Sequence, residues 1–402
     1  MNIGLIRMKY TPYGGAEVFV SRFIDELLKR GHTCHIFAAE WGQDDSRFKI
    51  QDSKRVFHKI KTFGPSFLRI LFFAINSYFD VRKANLDVIL SFDRSLYQDI
   101  YRAGDGCHRE WLIQRRLAEA RSQKQESRNK NILHLASYLL PLKKLITYIN
   151  PLHLTIPYLE KRLFRSKRLK FVVANSKRGK DEIKKHYGLP EEKFCVIYNG
   201  IDLKVFDPHE SGKMRGVYRE RLNIKTEVLL LFVGSGFERK GLKFLIEALG
   251  ILKIGGNEGL KLVVVGKGEI KKYQAIAEEC GVGENISFTG PVTDVNGYYC
   301  AADIFVLPSI YEPFSNACLE AMASQLPVIT SRINGVSEIL THKKDGMIVD
   351  DPANPKEIAE KIKPLLNEEI RLAAAKAARK TAENYTIEKN VNEFLRLIEK
   401  VL

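Results

Sequence analysis

The stretch Tyr311-Glu312-Pro313-Phe314-Ser315-Asn316-Ala317-Cys318-Leu319-Glu320 decides how the chain is read. It follows the apolar run Asp303-Ile-Phe-Val-Leu-Pro308 and enters a segment of helical character from Ala317 to Ala323. A strand that feeds a turn and then a helix puts that turn at the carboxyl edge of a parallel sheet, where open α/β sheets bind ligands. Glu312 and Glu320, eight residues apart, flank the helix start. Carboxylates there can accept hydrogen bonds from sugar hydroxyls, while the first N–H groups of the helix face an anion. A sugar nucleotide offers both kinds of group. A Glu before a helix is also an ordinary first-turn residue, and a Glu within one is usually solvated, so the spacing needs support from the rest of the chain.

That support begins with the alternation of strands and helices. Ile3–Arg7 reads as a strand, followed by a Gly14-Gly15 loop and a helix from about Ala16 to Arg30. Strands are expected at 33–38, 87–91, 170–174 and 193–197. A second series opens with the nearly all-apolar run 227–234, the signature of a strand buried on both faces. It continues with a helix at 242–252, a strand at 261–265, a helix at 273–280 and strands at 286–289, 303–307, 327–330 and 346–349. Two such series predict an α/β protein of two Rossmann-like, doubly wound domains with parallel sheets. The turn-rich segment Tyr198–Pro208 is the place for the hinge. A last helix from Ile387 to Leu402 follows a break at Asn384-Tyr385-Thr386, and pattern alone does not say where it packs.

The chain has 402 residues, enough for two or three domains, and its apolar and charged fractions of 45% and 28% are those of a globular protein. Its six cysteines, at 34, 107, 195, 280, 300 and 318, form no Cys-x-x-Cys, which speaks against zinc and redox motifs and fits a reducing compartment. The opening Met-Asn-Ile-Gly-Leu-Ile-Arg reads as a first strand and not as a secretory leader. No run reaches the roughly 20 apolar residues of a membrane span. The closest are Phe67–Phe79, interrupted by Arg69, and Ile132–Leu159, interrupted by two lysines and three prolines. The formal charge is +16, and the segment from Arg109 to Lys170 holds 15 lysines and arginines against four acids. Such a surface attracts nucleic acid, an anionic membrane face or an acidic substrate.

Two glycine-rich turns are candidates for phosphate contact. Pro12-Tyr13-Gly14-Gly15-Ala16-Glu17 lets backbone N–H groups approach a phosphate, although a bare Gly-Gly also serves as a plain strand-to-helix turn and is not a dinucleotide fingerprint. Gly234-Ser-Gly236-Phe-Glu-Arg239-Lys240-Gly241 places two cations before a helix, where the dipole disfavours them. A bound anion would offset that conflict; a solvated Arg-Lys pair is the plainer reading. Lys240 is followed by Gly, so this is no Walker A loop. Asp105-Gly106-Cys107-His108 follows the apolar segment 100–103. An Asp and a His three apart at a strand end can hydrogen-bond an acceptor hydroxyl and a sugar hydroxyl, although a lone His is more often a surface or satisfied core residue.

Taken in order, Gly14-Gly15-Ala16-Glu17, Ala174-Asn-Ser176, Val196-Ile-Tyr-Asn-Gly-Ile-Asp202, Gly234…Arg239-Lys240-Gly241 and Glu312-Pro-Phe-Ser-Asn-Ala-Cys-Leu-Glu320 with Leu326-Pro-Val328 resemble the family-4 glycosyltransferases of the GT-B fold. The resemblance covers nearly the whole chain, is weakest between about 40 and 170, and is finest with the bacterial lipopolysaccharide core glucosyltransferase I type. It implies an N-terminal acceptor domain over 1–199 carrying a basic, membrane-facing insert at about 109–170. It also implies a C-terminal nucleotide-sugar domain over 200–385 and a terminal helix, 386–402, returning to the first domain, the two domains facing across a cleft.

The resemblance further implies the roles. Glu320 would hold the ribose hydroxyls and Glu312 those of the donor sugar. Arg239, Lys240 and the backbone at Gly15 would hold the diphosphate. Phe314, Ser315 and Asn316 would offer backbone N–H groups, Gly14, Gly234 and Val292 would complete the donor set, and Asp105 or His108 would sit on the sugar and acceptor side. Arg239, Lys240, Glu312, Asp105 and His108 form the catalytic set. The expected reaction is a retaining, metal-independent transfer of a hexose, UDP-glucose being the expected donor, to a lipid-linked or lipopolysaccharide saccharide at the cytoplasmic face of the inner membrane. No cofactor is expected and no Asp-x-Asp metal site is seen. Trp111, Leu112, Ile113 and Leu117 among Arg109, Arg115, Arg116 and Arg121, then Tyr138-Leu-Leu and 161–168, suit an interface-lying helix. A basic face covering the domain core accounts for the same residues. The competing readings are a sugar-nucleotide 2-epimerase on the same architecture, a non-catalytic nucleotide-sugar-binding module, and a nucleic-acid-binding protein. The last is opposed by a C-terminal half that is not markedly basic and by the lack of a recognised nucleic-acid motif.

Overall fold

A computed structural model describes residues 1–10, 15–41, 53–129, 150–208 and 211–402. The chain divides into two compact units, one made of 1–113, 123–198 and 387–402, the other of 114–122 and 199–386.

The first unit is built on seven parallel strands: β1 (Asn2–Ile6), β3 (Thr33–Ala38), β5 (Arg55–Lys59), β6 (Val88–Ser91), β7 (Ile100–Arg102), β8 (Phe171–Ala174) and β9 (Phe194–Val196). They lie in the order β5-β3-β1-β6-β7-β8-β9. A short pair, β2 (Lys9–Tyr10) and β4 (Glu40–Trp41), stands beside the sheet as a separate ribbon. The second unit holds β10 (Val228–Val233), β11 (Leu260–Val265), β12 (Ile286–Gly290), β13 (Ile304–Leu307), β14 (Val328–Ser331) and β15 (Gly346–Val349) in the order β12-β11-β10-β13-β14-β15, again all parallel. In both sheets the first strand is central and the chain winds outward to one side, then to the other. That order creates a switch point beside the first strand: between β1 and β6 in one sheet and between β10 and β13 in the other. Open α/β sheets bind ligands at the carboxyl edge beside such a point.

Composition explains which strands were legible. The β10 run Val-Leu-Leu-Leu-Phe-Val is central and its middle four residues are buried, as are all of β13, β14 and β15. β5 (Arg-Val-Phe-His-Lys), half polar, lies at the sheet edge, and β7 has only three residues; sequence reading passes over the first and leaves the second as an apolar segment.

The first unit's helices are α1 (Gly15–Lys29), α2 (Ser66–Lys83), α3 (His108–Asn129, of which 114–122 group with the second unit), α4 (Pro151–Phe164) and α5 (Lys177–Tyr187). The second carries α6 (Ser211–Arg221), α7 (Leu242–Ile254), α8 (Ile270–Glu279), α9 (Asn296–Ala301), α10 (Asn316–Ala323), α11 (Pro355–Ile362) and α12 (Glu368–Ala382). The apolar run near Phe67–Phe79 is α2, which buries Phe73, Ala74, Ser77 and Val81 against its own unit. The basic region at 109–170 is not one uniform surface element. Its apolar residues at 111, 112, 113 and 117 do not segregate to one side of α3, as an interface-lying helix requires. α4 buries Ile156, Leu159, Leu163 and Phe164, so the core-covering role applies to it. Tyr138-Leu-Leu lies outside the described residues. Among the described residues no helix is long and apolar enough to cross a membrane.

The last helix, α13 (Ile387–Glu399), belongs to the first unit. Its Ile387, Val391, Phe394 and Ile398 recur at helical spacing, are 0–5% exposed, and join the core formed with α1 and β1. Phe394 meets Phe23 edge-on at 5.1 Å. Two polar contacts fix the register: Arg30 donates to Asn392 Oδ1 at 2.6 Å, and Asn390 Nδ2 donates to the Tyr198 carbonyl at 2.6 Å.

Truncating a fully buried Phe removes its transfer energy and leaves a cavity, so Phe394→Ala is expected to cost the first unit about 3–5 kcal/mol. Urea unfolding followed by a probe in that unit checks it; a loss below about 1 kcal/mol would mean that α13 does not complete this core.

Candidate functional site

The second sheet's switch point brings together two segments about 70 residues apart in the chain. The turn after β10 carries Arg239 and Lys240; the turn after β13 carries Glu312. Lys240 Nζ donates to Glu312 Oε2 at 2.7 Å, and Arg239 lies 3.1 Å from the same oxygen. The main chain ties the turns together, Ile310 N–H donating to the Arg239 carbonyl at 2.9 Å. Glu312 is anchored on its other side, its carbonyl accepting from Gly335 N–H at 2.9 Å.

Glycine makes this convergence possible. A Cβ on Gly234 would stand 2.7 Å from Cδ and Cε of Lys240, so the lysine stem passes where any side chain would be. Gly241, the residue just before α7, has φ 75°, and a Cβ there would come within 2.1 Å of the Pro308 carbonyl oxygen of the opposing turn.

The sequence places two cations before a helix and asks what anion offsets the dipole. Part of the answer is internal: Glu312, buried to 8% exposure, supplies it. Burial pushes its carboxyl up, but Arg239 and Lys240, by charge and hydrogen bond, outweigh burial and hold it below the usual carboxylate range. The cluster keeps a net charge of +1. Lys240 is buried, while the Arg239 side chain remains 35% exposed. Both of these contacts fall on Oε2.

Beyond Glu312, Ser315 caps α10 by accepting from Cys318 N–H at 3.3 Å. The backbone N–H of Ser315 was expected to face a ligand. It is instead donated to Asn334 Oδ1 at 3.2 Å. Asn334, wholly buried, also donates to Thr330 Oγ1 at 2.9 Å and so ties the turn after β14 to the helix start. Phe314 is buried and Asn316 half-buried at the same place. Glu320, one turn further along α10, accepts from the hydroxyl of fully buried Tyr299 at 2.8 Å. Neither Asn334 nor Tyr299 was singled out from sequence; the Asn-Gly step after β14 was the available signal for the first, and nothing local marked the second. Val292 follows β12, half-buried.

In the first unit, Gly14 lies outside the described residues and Gly15 is the first residue of α1. Asp105 and His108 leave the carboxyl end of β7, as expected, but each has a protein partner. Arg94 lies 3.4 Å from Asp105 Oδ2, and His108 Nε2 is 3.1 Å from His153 Nδ1. One ring nitrogen of that pair must donate and the other accept, which suits neutral imidazoles. Burial, with Arg94 and His153 adding to it, pushes His108 down to about 3.

The folded states therefore favour ionised Glu312 and neutral His108. A depressed carboxyl contributes stability above its ordinary value of 4.5 that is lost as pH falls through the lower folded value. A depressed histidine contributes stability above 6.5 that is lost as pH falls toward 3. Thermal stability should fall in the first unit below pH 6.5, where His32, His35 and His58, also depressed by burial, add to the loss from His108. In the second unit the loss from depressed His342 begins at the same pH, and that from Glu312 only below 4.5. His108→Gln should reduce the first dependence and leave the second. A profile unchanged by that substitution would remove His108 as a source.

Comparison with known proteins agrees with this architecture. Residues 13–205 match the family Glycosyltransferase Family 4, and 215–398 match Glycosyl transferases group 1. The chain is 26% identical over 388 residues to the lipopolysaccharide glucosyltransferase WaaG of Escherichia coli (strain K12), covering 95% of this chain and 94% of that one. It is 36% identical over 192 residues to an uncharacterized glycosyltransferase of Methanocaldococcus jannaschii, where the match spans about half of each, 47% and 48%. A crystal structure of WaaG superposes with TM-score 0.79 at 23% identity over 98% of this chain and 99% of that one. Anabaena HepE in complex with UDP-glucose superposes with TM-score 0.72 at 17% identity over the whole of both chains. A Family 4 domain followed by a group 1 domain, each on its own parallel sheet, makes this chain a member of the GT-B glycosyltransferases.

Proposed function

We propose that the chain is a retaining, metal-independent hexosyltransferase that moves glucose from UDP-glucose to a membrane-associated saccharide of the lipopolysaccharide core or a related cell-envelope glycan. The observation that carries this reading is the buried Arg239–Lys240–Glu312 cluster at the switch point of the second sheet. Its surplus positive charge suits a diphosphate, and its carboxylate suits sugar hydroxyls. The full-length likeness to a lipopolysaccharide glucosyltransferase supports the choice of acceptor class, and the HepE complex supports the donor.

In this reading the bond between the anomeric carbon and the β-phosphate oxygen breaks while the acceptor oxygen bonds to the same face of that carbon. The acceptor proton passes to the departing phosphate. Negative charge gathers on the leaving group, and two preorganised cations meet it without reorganisation. Glu312 is a poor nucleophile for a covalent route because two cations hold it; its Oε1 is the atom for a sugar hydroxyl. Glu320, held by Tyr299, takes the ribose. Asp105 and His108 form the acceptor-side pair.

Association with an anionic leaflet at the cytoplasmic face of the inner membrane belongs to the same proposal. Leu154 and Tyr158 are exposed on α4 near exposed Lys161 and Arg162. Each cation beside such a leaflet contributes about 1 kcal/mol. The epimerase alternative uses no acceptor and is separated by product analysis.

The test begins with a panel of nucleotide sugars scored by thermal shift, followed by transfer to lipopolysaccharide lacking its core glucose. UDP-glucose should stabilise the protein and be consumed with retention, and EDTA should leave the rate unchanged. Lys240→Ala should lower kcat by about 10²–10³. It should also cost stability, up to about 3–5 kcal/mol, because it leaves buried Glu312 with Arg239 as its only cation. A wild-type rate per folded molecule in that variant, or no response to any nucleotide sugar, would reject the reading.

A further inference from the structure

The first unit contains a buried carboxylate to which nothing above assigns a role. Glu160 sits on α4 at 1% exposure, on the helix face that also buries Ile156, Leu159 and Leu163. An apolar residue is the ordinary occupant of such a position, and replacing a buried ion pair by apolar groups is often neutral or stabilising. Stability alone therefore does not account for a charge here. The contacts of Glu160 do. Oε1 accepts from Arg94 Nε at 2.9 Å and from the backbone N–H of His108 at 3.3 Å, while Oε2 accepts from the Tyr187 hydroxyl at the end of α5.

Arg94, in the loop after β6, spreads its remaining nitrogens over the same turn. One lies 3.4 Å from Asp105 Oδ2 and the other 3.5 Å from the Gly106 carbonyl. Thus 105, 106 and 108 are all held by one guanidinium and one carboxylate. Gly106 bends between them at φ 72°, a conformation that a side chain would resist. The turn is clamped from beneath and open above, for the Asp105 side chain is 47% exposed.

We infer that Glu160 is a positioning residue for glycosyl transfer: through Arg94 and the His108 main chain it holds Asp105 and His108 in one arrangement toward the acceptor. The inference rests on the proposed acceptor-side role of that turn. It adds that the geometry is set by a side chain that never meets substrate. A displacement of about 1 Å in such a group can cost roughly 10²-fold in rate.

Glu160→Gln keeps the shape and removes the charge; Tyr187→Phe removes one hydrogen bond and carries the test should the first variant fail to fold. Activity is measured per folded molecule, with UDP-glucose as donor and lipopolysaccharide lacking its core glucose as acceptor. Glu160→Gln is expected to lower kcat about ten- to hundred-fold, and Tyr187→Phe several-fold, with KM for UDP-glucose unchanged. A merely structural role would reduce the folded fraction and leave activity per folded molecule, and its division between kcat and KM, at wild-type values; that result overturns the inference. Asp105→Asn and His108→Gln separate it from the reading beneath it. If both transfer at the wild-type rate, the acceptor role of the turn falls. If they are impaired while Glu160→Gln and Tyr187→Phe are not, that role stands and the positioning role falls.

Discussion

The organising interaction of the second unit is the buried contact of one carboxylate with two cations. Glu312 is 8% exposed, and removing a carboxylate from water is costly unless opposite charge compensates it. Lys240 and Arg239 compensate it, but only if the turns after β10 and β13 lie side by side. The strand order secures this, because β10 and β13 are neighbours although β11 and β12 lie between them in sequence. Glycine at 234 and 241 then admits the lysine stem and the opposing carbonyl. Sheet topology, backbone permissiveness and electrostatics thus meet at one point. Because two cations face one anion, the assembled site still attracts negative charge.

Much of this was readable in advance. The apolar runs of β10, β13, β14 and β15 were visible because central strands of a parallel sheet must be apolar on both faces. The glycines around Arg239 and Lys240 marked a tight turn ahead of a helix. The pairing of Lys240 with Glu312 was not legible, since a contact across 72 positions depends on strand order, which local pattern does not encode. The dipole conflict at Arg239-Lys240 was correctly seen, but its resolution lies partly within the protein. Asn334 and Tyr299 were missed for a related reason. Each acts through one hydrogen bond to a distant segment, and a buried Tyr looks in sequence like any core aromatic.

The first unit was harder to read. Its edge strand β5 is half polar, β7 is three residues long, and the basic charge of 109–170 masked the fact that α4 has a buried face. Net charge reports on a surface, whereas the burial of Leu159, Glu160 and Leu163 is a matter of spacing along one helix. The Asp105–His108 turn was found as a motif, but its support on Arg94 and Glu160 comes from two other segments.

The membership of α13 in the first unit has a consequence for biosynthesis. That unit's core requires Phe394 and Ile398, which are made after residues 199–386, yet Phe23 and its neighbours are made before them. While 199–386 are being translated, roughly ten to forty seconds at ordinary elongation rates, the early part of the chain waits with part of its apolar face uncovered. The second unit carries no such debt to later residues and can close first, so the order of folding runs against the order of synthesis. A nascent chain in that state is a natural client for chaperones.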